Sequence, residues 1–213
     1  HYLQLALLVA CLEWHWRGRN DFFIGANLTV YYSQQQLRNR DFRGPDLFLI
    51  TNTEKRPRRS WVVWEEDGKV PDLIIELLST STARVDRSEK KILYQDRLKT
   101  PEYFWFDPED LEFRGFRLIE REYQAILSNE FGRLWSEVLG LYLGIHDGKL
   151  RYFTPDGELV PTPEEAALQA QEQAVQAQEQ AVQAQEQAVQ AQERAELLAS
   201  QLRALGIEPE SFE

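Results

Sequence analysis

The chain holds no methionine and one cysteine, Cys11, among its 213 residues. A single cysteine rules out an internal disulfide, so the fold depends on its core. It also suits a reducing compartment, which makes the cytoplasm the expected location. The neighbours Leu8, Val9, Ala10 and Leu12 are apolar, the setting of a buried structural thiol. With His1 first and no methionine, the native N-terminus is expected to lie upstream. The longest apolar run, Leu5 to Leu12, is too short to span a bilayer, so no membrane partner is expected. The histidines His1, His15 and His146 are scattered, with no metal-ligand spacing joining them. There is no glycine-rich phosphate loop and no Ser-His-Asp pattern.

Hydrophobic residues make up 43% of the chain and aromatics 12%, enough for one core and an appendage. The net charge of -11 is unevenly placed. From Pro161 to Glu213 there are ten acidic and two basic residues, a net of -8, so His1 to Val160 carries only -11 + 8 = -3. Within that part Arg38, Arg40, Arg43, Lys55, Arg56, Arg58 and Arg59 form a basic region expected beside Asp46. Arg56, Arg58 and Arg59 suit phosphate contacts or a merely solvated loop. The global charge is therefore a poor guide to what the globular part binds.

Residues 3 to 16 repeat apolar side chains at helical spacing, with Leu5, Leu8, Leu12 and Trp16 on one face. Short strands are predicted at 22–24 and 28–32, at 46–50 and at 61–64. Leu73 to Leu78 is almost continuously apolar, as in a central strand buried on both faces. Asp86 with Glu89 reads as a capping box for a helix over 87–98. Further strands are predicted at 102–106, 113–119, 123–127, 139–145 and 150–153, with Asp147-Gly148 as a turn. The pattern is α/β, a mixed sheet flanked by helices, over residues 1–160.

Residues 161–213 read differently. Thr162 and Glu165 form a second capping box, with Pro163 at the first helical position. A literal repeat of seven, Gln-Ala-Gln-Glu-Gln-Ala-Val, then fills 169–175, 176–182 and 183–189. Alanines at 170, 174, 177, 181, 184, 188, 191 and 195 alternate spacings of four and three, and Leu198, Leu202 and Leu205 continue them. This is a heptad seam for a coiled coil, with Val175, Val182 and Val189 beside it and Gly206 and Pro209 as its stop. Self-association, a dimer first, is expected, although Ala, Gln and Glu propensity alone also suits a solvated helix.

Asp46 and Glu76 stand out because each lies in an apolar, strand-like run. An ionised carboxylate there costs several kcal/mol unless it is paired or bound to a metal. Magnesium takes oxygen ligands and needs only one or two protein carboxylates. Lys90, on the helix after the Glu76 strand, is a candidate for the positive charge that phosphodiester hydrolysis requires. Tyr94, four residues on, shares its helical face. Asp72, at a strand entrance after Pro71, reads as structural.

The ordered set Gly44-Pro45-Asp46, then Pro71-Asp72-Leu73-Ile74-Ile75-Glu76-Leu77-Leu78-Ser79, then Asp86-Arg87 with Glu89, Lys90 and Tyr94, then Pro101 to Pro108, resembles the Uma family of restriction-endonuclease-like proteins. That family lies in the PD-(D/E)XK nuclease superfamily, and the resemblance covers roughly residues 1–163. It implies a restriction-endonuclease-like sheet and a site for Mg²⁺, with Mn²⁺ as a possible substitute. Pro45-Asp46 stands at the Pro-Asp of the pattern and Glu76 at its second acid. The lysine expected two residues after that acid is replaced by Leu78, and the resemblance implies that Lys90 supplies it, with Lys91 as the neighbouring alternative. Glu13 is the one acidic candidate on the first helix. The expected function is metal-dependent endonuclease action on DNA. The alternative is a non-catalytic nuclease-like interaction module assembled through its coiled coil.

Overall fold

The computed structural model describes residues 1–34, 44–79 and 89–205. Arg38, Arg40, Arg43, Asp86, Gly206 and Pro209 lie outside them. The described chain divides into two compact units, His1–Pro163 and Glu164–Glu213.

The first unit opens with α1 (Tyr2–His15). The predicted face is the buried one, since Leu5, Leu8, Leu12 and Trp16 all lie in the core with Cys11. A six-stranded sheet follows in the order β1 (Phe22–Ala26), β3 (Leu47–Thr51), β5 (Leu73–Leu77), β6 (Glu102–Phe106), β7 (Phe113–Ile119) and β8 (Glu122–Ala125). Only β5 and β6 within it run parallel, so the sheet is mixed. The strand β2 (Val30–Tyr31) pairs with β4 (Trp61–Val62), and a 3₁₀ turn at Val63–Glu65 follows β4. The strands β9 (Leu134–Ser136), β10 (Leu141–His146) and β11 (Lys149–Phe153) make a separate antiparallel sheet. Asp147 and Gly148 both take positive φ, as the tight turn between β10 and β11 requires.

The central strands alternate between two cores. Leu47, Leu49, Leu73, Ile75, Leu77, Phe104 and Phe106 pack on the α1 side. Phe48, Ile50, Ile74, Leu78, Tyr103 and Trp105 pack on the other, against Tyr94 and Leu98. Both faces are covered, which explains why these strands read as unbroken apolar runs. The second face is covered by α2 (Lys91–Leu93), which continues into a π-helical turn at Tyr94–Leu98 and stops at Lys99 in the left-handed conformation. β1 runs through Gly25 where a break was predicted. Gly25 sits opposite Phe48, and a Cβ there would meet the Phe48 ring at 2.2 Å, so the strand needs glycine to hold that ring. The chain breaks instead at Asn27, whose φ is 51°.

The second unit is α3 (Pro163–Ala204), with Glu164 and Glu165 in its first turn. None of its residues is buried. Val175, Val182 and Val189 are half exposed at intervals of seven. Among the described residues no helix is long and apolar enough to cross a membrane.

Candidate active site

Alternation along the strands decides where the acidic side chains go. Glu76 falls between Ile74 and Leu78 on the α2 face, and Asp46 precedes Phe48 on that same face. β3 runs antiparallel to β5, with Leu47 opposite Ile75. The start of β3 therefore meets the end of β5, and two acids 30 residues apart become neighbours. The Asp46 N–H donates to Glu76 Oε2 at 3.4 Å, and the Leu77 N–H donates to Asp46 Oδ2 at 2.8 Å.

The residues that flank α2, Lys90 before it and Tyr94 after it, complete the cluster. Lys90 Nζ donates to Glu76 Oε2 at 3.0 Å, and the Tyr94 hydroxyl donates to Oε1 at 2.6 Å. Spacing by one turn brings both to a single carboxylate. The described residues thus bring Asp46, Glu76, Lys90 and Tyr94 together. Lys91 points elsewhere, with its ammonium 3.6 Å from the centre of the Phe116 ring.

The Glu76 side chain is wholly buried. Burial pushes its carboxyl from the ordinary 4.5 to about 8; Lys90 pulls it back, the Asp46 charge adds to the rise, and the Tyr94 hydrogen bond opposes it. Asp46 is 18% exposed in its side chain. Its Oδ2 takes the Leu77 amide and faces His1 Nε2 at 3.3 Å, while its Oδ1 has no partner among the described residues. Among those residues no three His, Cys, Asp or Glu side chains gather to hold a metal by themselves. A hard divalent cation that keeps most of its waters fits two carboxylates of this kind, one of them with an open oxygen.

Two expectations need correction. Glu13 is not at this site: it pairs with Lys55, at the far end of α1 from His1. Nor is the described part of the basic region beside Asp46. Lys55, Arg56 and Arg58 follow the opposite end of β3, roughly 15 Å along a five-residue strand. There the Lys55 N–H donates to Asn20 O. Arg58 is already committed: its side chain is 3% exposed, and its guanidinium grips Glu66 through Nε at 2.6 Å and Nη2 at 3.0 Å and lies over Phe23 and Trp61. His1, which no spacing rule singled out, lies ahead of α1 with its Nε2 3.3 Å from Asp46 Oδ2. Asp72 has the expected structural role, its Oδ2 accepting from Thr51 N at 2.7 Å and Thr51 Oγ1 at 2.8 Å.

A mixed sheet with flanking helices and this cluster at one sheet end defines a restriction-endonuclease-like fold. Residues 1–154 match the Uma2 family, described as "Putative restriction endonuclease", and the chain belongs to that family. One similar solved structure is a "putative nuclease belonging to DUF820" from Anabaena variabilis. It shares 13% identity, covers 65% of this chain and 73% of its own, and superposes with a TM-score of 0.47. No curated protein matches the chain.

Proposed function

We propose that residues 1–160 form a magnesium-dependent endonuclease domain that hydrolyses DNA phosphodiester bonds, with Asp46 and Glu76 as the metal ligands. The observation that carries this reading is the buried Glu76 carboxylate, bonded by Lys90 and Tyr94 and adjoining Asp46. Perturbed carboxylates of this kind cluster at functional sites. The lysine missing from β5 is no obstacle, since an ammonium 3.0 Å from Glu76 offers its charge from α2.

When bound, Mg²⁺ supplies charge neutralisation on the scissile phosphate. Asp46 presents Oδ1 as an open oxygen. Tyr94 fixes the Glu76 carboxyl through Oε1, so the group cannot turn away. Lys90 orients the attacking water or a phosphate oxygen and offsets the charge that develops there. Single Cys11, buried in the core, suits work in the reducing cytoplasm.

Nicking of supercoiled DNA in Mg²⁺ or Mn²⁺ tests this directly. Wild type should nick, and Glu76→Ala and Lys90→Ala should each be slower by about 10²-fold or more. Equal background cleavage by all three would leave a non-catalytic interaction module.

We further propose that α3 pairs with α3 of a second copy through its alanine seam. Alanine buries little area but allows close helix approach. Deleting the chain from Glu164 onward should lower the mass seen by light scattering, and an unchanged mass would put assembly elsewhere.

A further inference from the structure

His1 begins the first turn of α1, where its carbonyl accepts the Leu5 N–H at 3.0 Å. That turn is firmly anchored. Leu5 and Leu8 are buried, and the Gln4 side chain acts like a piece of backbone: it donates to Leu150 O at 2.9 Å and accepts from Leu150 N at 3.0 Å. The helix is thereby tied to β11, and its first residue is held over the start of β3. His1 Nε2 lies 3.3 Å from Asp46 Oδ2. The contact is at ion-pair distance, so a protonated imidazole there faces the carboxylate with the opposite charge.

The contact falls on the oxygen that already takes the Leu77 N–H. Two groups from different parts of the chain, the Leu77 amide of β5 as donor and the His1 imidazole ahead of α1 as ion-pair partner, face Oδ2, and Oδ1 is left without a partner among the described residues. Rotation about the last bond of an aspartate is soft, so a single amide would leave the carboxyl plane loosely held. We propose that His1 is a positioning residue: with the Leu77 amide it clamps Asp46 so that Oδ1 is the oxygen offered to the divalent cation. This inference rests on the metal-dependent reading above. Groups that orient a ligand in this way change metal affinity or activity by about 10- to 100-fold when removed. The His1 side chain is 43% exposed, so its truncation should remove little packing.

Calorimetric titration of the full chain with Mn²⁺ and with Mg²⁺ tests the clamp without relying on cleavage. His1→Ala should bind the ion about tenfold more weakly than wild type, with thermal stability unchanged. His1→Gln, which carries an N–H at similar reach, should recover most of the affinity. Equal affinity in wild type and His1→Ala overturns the proposal, and so does a His1→Gln as weak as His1→Ala. A wild type that takes up no ion overturns the metal-dependent reading and this inference with it, which separates the two failures.

Discussion

Two glutamates on adjacent parallel strands, Glu76 in β5 and Glu102 in β6, are buried to the same degree, at 0% and 1% exposure. They sit towards opposite ends of the strand pair, because Leu73 faces Glu102 and Glu76 faces Trp105. Their surroundings differ in kind. Glu102 is a stitch between sheets. Arg117 of β7 donates to its Oε1 through Nε at 3.2 Å and Nη2 at 3.1 Å, Glu137 N donates at 2.9 Å, and Ser136 Oγ of β9 closes on Oε2. Arg117 extends the stitch by donating to Trp135 O at 3.0 Å. Glu76 is held by one helix and adjoins a second carboxylate, and its own carboxyl is pushed up to about 8. Burial of an acid therefore does not by itself mark a site. What distinguishes Glu76 is a neighbouring like charge and a desolvation that its partners do not offset.

The difference predicts that loss of Glu102 damages the fold and loss of Glu76 does not. Glu102→Ala takes from Arg117 its buried carboxylate, leaving it Trp135 O and the Glu137 side chain, and removes the acceptor of the Glu137 amide and the buried Ser136 hydroxyl at once. Breaking a buried ion pair from one side costs about 3 kcal/mol or more. Urea unfolding should show that loss, while nicking per folded molecule stays as in wild type. If Glu102→Ala keeps its stability and loses nicking, Glu102 belongs to the chemistry and the contrast fails.

What was legible in the sequence follows the same division between local and distant constraints. α1, the central strands and α3 carry their own periodicity, and Asp46, Glu76, Lys90 and Tyr94 sit in patterns where strand alternation and one helical turn decide direction. β9 escaped notice because three residues are too few for a period of two to register. The Glu102 stitch joins residues 15 to 35 positions apart, and only the packing of two sheets brings them together. His1 reaches Asp46 for a similar reason: the packing of α1 on the sheet makes that contact, and no spacing between histidines could. The basic loop misled because it is close to Asp46 in the string, whereas a whole strand lies between them. Arg58 is likewise taken up by Glu66, Phe23 and Trp61, distant partners that no local pattern announces.

A smaller effect sharpens the comparison from the Glu76 side. Its folded carboxyl titrates near 8, above the ordinary 4.5, so the folded state favours the protonated form. The stability linked to this group is fully present below about pH 4.5, falls as the unfolded state ionises, and is lost once pH passes about 8. Glu76→Gln replaces the neutral form with a neutral amide and has no such loss. In chelator-treated protein, the unfolding free energy of Glu76→Gln minus that of wild type should therefore widen between pH 5 and 8. The limit is about 1.4 kcal/mol per pH unit. Added Mg²⁺ should narrow the gap, because an ion that binds only the wild-type carboxylate stabilises wild type alone. A flat difference across that range would mean that Lys90 holds Glu76 ionised throughout. The two glutamates would then be alike, both of them ends of a buried ion pair.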